Sequence, residues 1–256
     1  MLINKLVLIA KKIFRALYSF PRKNRDFWAE FFINRLGMAT YRITIKNSDM
    51  RLAELCDKYG SDKGSQYKKS ELYFWKPHGY TDFYEILFHH LRDENLSLFE
   101  CGLGTIDPKV PSNMGVNGKP GGSLRVWRDY FKNALIYGAD IDPKTLFTED
   151  RIKTVEMDQT NSKSISDAMI TLGVKEFDII IDDGLHNYLA GKCLFENLYN
   201  YLPVNGIYII EDIHSTEKER YLNFFDTYTN LSVTFADFGR RGNRGSLIYI
   251  QKKLMR

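Results

Sequence analysis

The sequence predicts an α/β fold: a Rossmann-like, doubly wound, mostly parallel seven-stranded sheet with a C-terminal antiparallel hairpin, preceded by N-terminal helices. Three observations carry this expectation. Apolar runs of strand length, such as "FDIII" at 177–181 and "GIYII" at 206–210, recur from residue 96 onward with helical segments between them. Continuous apolar strands separated by helices indicate a parallel sheet covered on both faces. The last two strand-like segments, "LSVTFADFG" and "SLIYIQKK", instead flank a glycine-rich turn, "RRGNRG", and read as a hairpin.

The elements follow in order along the 256 residues. Residues 1–50 form a basic, aromatic N-terminal extension, and residues 51–256 the main domain. In "MLINKLVLIAKKIFRALYSFPRK", Lys5, Lys11, Lys12 and Arg15 interrupt the apolar residues, so no stretch approaches the roughly 20 apolar residues of a membrane span. Residues 1–23 read as a basic amphipathic helix. It would pack on its own domain, on a second copy in a homo-oligomer, or on an anionic membrane surface as a peripheral contact. "TDFYEILFHHLRDE" follows a helical period with Thr81 as N-cap candidate. The strand "LSLFECGLG" comes next, then the helix "GGSLRVWRDYF" with Ser123 as N-cap, and the strands "ALIYGADID" and "KTVEMD". "SKSISDAMITLG" is a helix closed by Gly173; "AGKCLFENLYNYL" and "EKERYLNFFDTY" are the last two.

Composition narrows the classes. Thirty-six basic and 32 acidic residues leave a net charge of +4, too mild to imply nucleic acid. The sequence lacks an NPPY-type aromatic motif after the fourth strand, and its basic residues are scattered, so a nucleic-acid partner is not expected. Three widely separated cysteines form no CxxC pair, which argues against a disulfide framework or zinc knuckle and for a reducing, cytoplasmic location.

Polar clusters fall at strand carboxyl ends, where ligands bind in sheets of this kind. In "FECGLGTID", Gly102 and Gly104 follow Glu100, and glycines there let a ligand approach the backbone. Asp140 ends the second strand, where an acid can accept both hydroxyls of a ribose. Asp158 ends the third, where it could accept from an adenine amino group. The plainer alternative makes Asp140, Asp142 and Asp158 turn and cap residues.

The fourth strand ends in Asp183, with His186 three residues on, and the fifth in Glu211 and Asp212. If these two strands are neighbours, about 5 Å apart, the three carboxylates converge. Converging carboxylates repel unless a cation neutralises them or one takes a proton. Oxygen-rich sites suit magnesium, manganese or calcium, and His186 beside such an ion would be free to act as base. Asp182 faces the other side of the strand, because neighbouring side chains alternate.

The E-x-G-x-G turn resembles that of the class I S-adenosylmethionine-dependent methyltransferases, although Ile106 stands where a third glycine is expected and "PKVPSNMGVNGKPGG" is inserted before the helix. The D-G-x-H and E-D motifs, with "YGSDKG" at 59–64, "HGYT" at 78–81 and "GGSLRVW" at 121–127, resemble the metal-dependent macrolide-sugar O-methyltransferases of the mycinamicin and macrocin type. The resemblance implies S-adenosylmethionine as methyl donor, with Glu100, Gly102, Gly104, Ser123, Asp140, Asp158, Tyr80 and Thr81 on the cofactor side. It implies Mg2+ or Mn2+ on Asp183, Glu211 and Asp212, and His186 as base. Residues 1–50 are not expected to form the long auxiliary domain of the macrolide enzymes, so a macrolide acceptor is not expected. The expected acceptor is therefore a small molecule: a sugar, or a phosphorylated or nucleotide-linked intermediate of capsule, lipopolysaccharide or secondary-metabolite biosynthesis. Arg240, Arg241 and Arg244 on the hairpin would bind its phosphate, unless they are only a solvated tip. The alternatives are a nitrogen- or phosphate-directed methyltransferase of the same fold, and a non-catalytic membrane-associated binding module.

Overall fold

The computed structural model describes residues 51–64, 75, 77–214, 216–238 and 246–254. The expected N-terminal helix and the three hairpin arginines lie outside these residues. No helix among the described residues is long and apolar enough to cross a membrane.

The strands are β1 (Ser97–Cys101), β2 (Leu135–Asp140), β3 (Thr148–Glu149), β4 (Ile152–Glu156), β5 (Ile179–Asp182), β6 (Ile207–Ile210), β7 (Leu231–Asp237) and β8 (Ser246–Lys252). They form one eight-stranded sheet in the order β3-β4-β2-β1-β5-β6-β8-β7. β4, β2, β1, β5 and β6 are mutually parallel, and β8 and β7 close the sheet as the expected antiparallel hairpin. The count exceeds the seven expected because β3 pairs antiparallel with the edge of β4 over only two residues, too few to show a sequence period.

The helices are α1 (Arg51–Tyr59), α2 (Thr81–Phe88), α3 (Gly122–Tyr130), α4 (Ser162–Leu172), α5 (Tyr188–Leu198) and α6 (Lys218–Phe225). Strand side chains alternate between two cores. Leu98, Ile179, Ile181 and Ile209 pack with Leu52, Tyr84 and Trp127 on the α1–α3 face. Phe99, Ile180, Tyr208 and Ile210 pack with Ile165, Phe195 and Tyr221 on the α4–α6 face. β5 and β6 are therefore apolar throughout, since both sides are covered.

Two caps differ from expectation. α2 is preceded by Tyr80 and begins at Thr81, and α3 is capped by Gly121 at φ 71, not by Ser123. The glycine is required by that left-handed turn. Gly173 ends α4 at φ 69, as its sequence implies.

Candidate active site

A cavity of about 1300 Å³ opens at the carboxyl ends of β1, β2, β4 and β5. One part of its wall is the turn after β1. Gly102 and Gly104 have φ 95 and 80, a region that favours glycine. A Cβ at Gly102 would lie 2.1 Å from the carbonyl oxygen of Asp183, so the turn and the loop after β5 are in backbone contact. Asp140 accepts from the amides of Leu103 at 2.7 Å and Asp142 at 2.9 Å, which ties the β2 end to the same turn. Asp158 accepts from the amide and hydroxyl of Thr160. Gly102, Gly104, Ser123, Asp140 and Asp158 all line the cavity. The inserted segment forms another part of its wall: the Met114 amide donates to Thr105 O at 2.8 Å, and the Gly121 amide to Leu103 O at 2.7 Å. The thioether of Met114 sits over Gly104, leaving no room there for a Cβ.

Three residues expected on the cofactor side do not line this cavity. Glu100 is fully buried on the α1–α3 face, where it accepts from the Trp127 indole at 2.6 Å. Tyr80 donates its hydroxyl to Asp212 Oδ1 at 2.5 Å. Thr81 is buried in the first turn of α2 with its hydroxyl unpaired among the described residues. The "HGYT" turn is held by backbone bonds to residues 62–64, which the motif alone does not reveal.

At the other end of the cavity stand Asp183, His186 and Asp212, each offering a ligand atom within 4.8 Å of the others. The two aspartates of β5 divide as alternation requires. Asp182 turns to the α4–α6 face and accepts from the Gln159 amide at 2.8 Å; burial pushes its carboxyl up to about 6 despite that bond. Gln159 in turn accepts from the Leu185 amide at 2.7 Å and so holds the loop. Asp183 points to the opposite face, toward the cavity. His186 Nε2 lies 3.1 Å from Asp183 Oδ1, and His186 Nδ1 lies 4.0 Å from Asp212 Oδ2. That Nδ1 is buried with no hydrogen-bond partner among the described residues. His186 and Asp212 both have positive φ, 55 and 53. Such strain costs about 1–3 kcal/mol per residue and clusters at functional sites.

Glu211, the third acid expected on the metal, is paired with other side chains. Its carboxylate does not line the cavity: Oε1 accepts from the Tyr84 hydroxyl, and Oε2 lies 2.6 Å from Lys63 Nζ. Lys63 is buried, 2.5 Å from Asp183 Oδ2 and 3.4 Å from Glu100 Oε1. Asp212 Oδ1 accepts from the Tyr80 hydroxyl and lies 3.1 Å from His78 Nδ1; His78 Nε2 lies 3.2 Å from Asp62, which also accepts from the Trp75 indole, and His78, Asp62 and Trp75 line the cavity. Neither Lys63, His78 nor Tyr84 is among the residues assigned from sequence. The signal present was "SDK" and "HGYT", polar loop text whose partners lie more than a hundred residues away.

Burial opposes charge at Lys63, but the Asp183, Glu211 and Glu100 carboxylates outweigh it and hold the ammonium well above its usual range. Burial raises Asp183, yet Lys63 and His186 draw it well below the usual carboxylate range. Burial, with Asp183 and Glu100 against Lys63, pushes Glu211 up to about 8. At His186 burial works against the proton, and the Asp183 hydrogen bond and the Asp212 charge win, raising it to about 9.

A parallel sheet with a glycine turn and an acid-lined cavity at its carboxyl edge has the form of the class I S-adenosylmethionine-dependent methyltransferase fold. No protein-family model matches the chain. Among curated proteins it is 34% identical over 184 residues to 8-demethyl-8-alpha-L-rhamnosyl tetracenomycin-C 2'-O-methyltransferase of Streptomyces olivaceus, covering 72% of this chain and 43% of that protein. It is 35% identical over 136 residues to demethylmacrocin O-methyltransferase of Streptomyces fradiae, covering 53% of this chain and 32% of the relative. The solved MycE methyltransferase of the mycinamycin pathway, in complex with Mg and SAH, superposes with a TM-score of 0.56 at 24% identity, over 82% of this chain and 55% of its own. These likenesses bear out the fold and the resemblance to the macrolide-sugar O-methyltransferases. The chain spans less than half the length of the curated relatives it matches.

Proposed function

We propose that this domain is an S-adenosylmethionine-dependent, divalent-metal-assisted O-methyltransferase acting on a sugar hydroxyl. The supporting observation is a single continuous cavity that joins the glycine turn and its two acids to the Asp183–His186–Asp212 cluster. Similarity to O-methyltransferases, two of them named for the 2' and 3' oxygens of a rhamnosyl tetracenomycin-C, favours oxygen over nitrogen as acceptor, and a glycoside over a phosphorylated intermediate.

S-adenosylmethionine would supply the methyl group from the end of the cavity lined by Gly102, Gly104, Ser123, Asp140 and Asp158. The donor set fits a hard divalent cation: the Asp183 and Asp212 carboxylates offer oxygens within 4.8 Å of each other, with the His186 ring beside them. Mg2+ or Mn2+ on Asp183 and Asp212 would stabilise the alkoxide form of the acceptor hydroxyl. A cation on Asp183 and Asp212 would offset the charges that raise His186 to about 9, and Asp183 orients the ring through Nε2, so the neutral tautomer that donates there leaves the Nδ1 lone pair to take the hydroxyl proton. Tyr80 and His78 both engage Asp212 Oδ1 and thereby turn Oδ2 toward His186. The cavity positions acceptor and donor for in-line transfer. The acceptor's place in secondary-metabolite or surface-polysaccharide assembly follows from which sugar is taken.

The test is methyl transfer from labelled S-adenosylmethionine to a panel of rhamnosides, free sugars and nucleotide sugars, with Mg2+ or with EDTA. Metal-dependent label on a sugar oxygen supports the proposal. Transfer that is indifferent to EDTA removes the metal, and label on nitrogen removes the reaction class.

A further inference from the structure

We infer that His214 is an acceptor-binding residue whose Nε2–H donates a hydrogen bond to the sugar oxygen beside the one that is methylated. The inference rests on the sugar O-methyltransferase reading of the previous section. His214 lines the same cavity as Asp183, His186 and Asp212. It follows Asp212 by two residues, a span of at most about 7 Å, so it stands at the metal end. Its own loop fixes the ring tautomer. Nδ1 accepts from the Thr216 hydroxyl at 2.7 Å and from the Thr216 amide at 3.3 Å. A backbone amide can only donate, so Nδ1 carries the lone pair and the neutral ring holds its proton on Nε2. That Nε2 has no hydrogen-bond partner among the described residues.

The backbone around the ring is held as well. The Ile213 amide donates to Ser246 O at 3.0 Å, at the start of β8, and the Ile213 side chain is buried in the α4–α6 core. His214 O accepts from the Glu217 amide at 2.9 Å, and Glu217 accepts from the Tyr188 amide at 3.1 Å, which ties the loop to the start of α5. A donor fixed in advance loses little freedom on binding and suits recognition of one particular oxygen. The two histidines of the cavity therefore differ in polarity. His186 offers an unpartnered Nδ1 to take the proton of the reacting hydroxyl, whereas His214 offers an N–H. In a sugar the neighbouring oxygen lies beside the reacting one and accepts from such a donor. A sugar with no oxygen at that position leaves the N–H unpaired and is rejected.

The test is methyl transfer to methyl rhamnoside and to each of its monodeoxy analogues, with Mg2+, by the full chain as wild type, His214→Phe and His214→Gln. SAH binding by calorimetry checks that each variant is folded. Phe keeps a ring without the donor, and Gln restores an N–H at the place of Nε2. In wild type, the analogue lacking the oxygen beside the methylated one should lose about tenfold or more in kcat/KM. His214→Phe should lose as much on the parent rhamnoside and nothing further on that analogue, and His214→Gln should recover most of the loss. An equal loss on the parent and on every analogue would overturn the inference, as would no loss at all. Nitrogen NMR of the histidine rings, with SAH and Mg2+ present, is the second readout. His214 should hold its proton on Nε2, and that nitrogen should shift when rhamnoside is added. A proton on Nδ1 would overturn the inference. If wild type methylates no rhamnoside, the reading of the reaction fails by itself. A shift at Nε2 on adding rhamnoside then supports the role of His214, and no shift rejects it.

Discussion

His186 Nδ1 stands 4.0 Å from Asp212 Oδ2, and both residues hold the backbone in the left-handed region. Neither is a glycine, so each carries the strain of that conformation. The loops after β5 and β6 spend conformational energy to aim these two groups at one point.

Replacing His186 with Ala should lower methyl transfer by about 100-fold or more, the usual weight of positioned acid–base help. The acidic limb of the kcat/KM profile should flatten at the same time. A near-normal rate across pH would reject the base role.

Asp183→Ala should abolish turnover at ordinary magnesium, because Asp183 both faces the cavity and orients His186. Turnover unchanged in that variant would sink the metal site.

Tyr80→Phe separates the two ends of the cavity. The hydroxyl bonds Asp212, so the variant should lose about tenfold in Mn2+ affinity. SAH affinity should stay within about twofold, since the bond lost is at the metal end. The reverse pattern would return Tyr80 to the cofactor side.

Metal-free protein should lose stability as pH rises. His78, where burial opposes and Asp62 and Asp212 favour the proton, is raised from 6.5 to about 9, and His186 is raised likewise. The folded state then binds more protons than the unfolded between these values, so stability present below pH 6.5 is lost as pH passes about 9. Melting in EDTA across that range checks the sign, and His78→Asn should reduce the slope.

Gly102→Ala should cost about 1–3 kcal/mol from the backbone alone, with a further penalty from the contact at 2.1 Å with Asp183 O, and should abolish SAH binding. Gly173→Ala, at φ 69 with nothing within 4 Å, should cost only about 1–2 kcal/mol and leave binding intact. Calorimetry and thermal melts on the pair distinguish a crowded glycine from a merely left-handed one.

The sheet was legible because its strands are buried on both faces: runs such as Ile179–Ile181 and Ile207–Ile210 cannot be solvated and so announce themselves. The opposite facing of Asp182 and Asp183 was legible from alternation. Lys63 was not. A lysine between Asp62 and Gly64 reads as a loop tip in water, and only the fold, which brings it to Asp183 across 120 positions, makes it an interior cation. The different partners of Glu211 and Asp212 were hidden for the same reason: the two neighbours have the same charge and sit on the same turn, and Tyr84, Tyr80 and His78 reach them from α2 and the segment before it. Tyr84 carries no mark of its own on an amphipathic helix, since an aromatic there is as readily core as a hydrogen-bond donor.

The division of the two aspartates at the end of β5 also sorts the damage that mutation can do. Asp182 serves Gln159 inside a helical layer, while Asp183 faces the cavity. In a library of variants screened for both yield and turnover, two chemically identical neighbours should separate into different phenotypes. Changes at Asp182 should be seen in how much folded protein accumulates, and changes at Asp183 in what that protein can do.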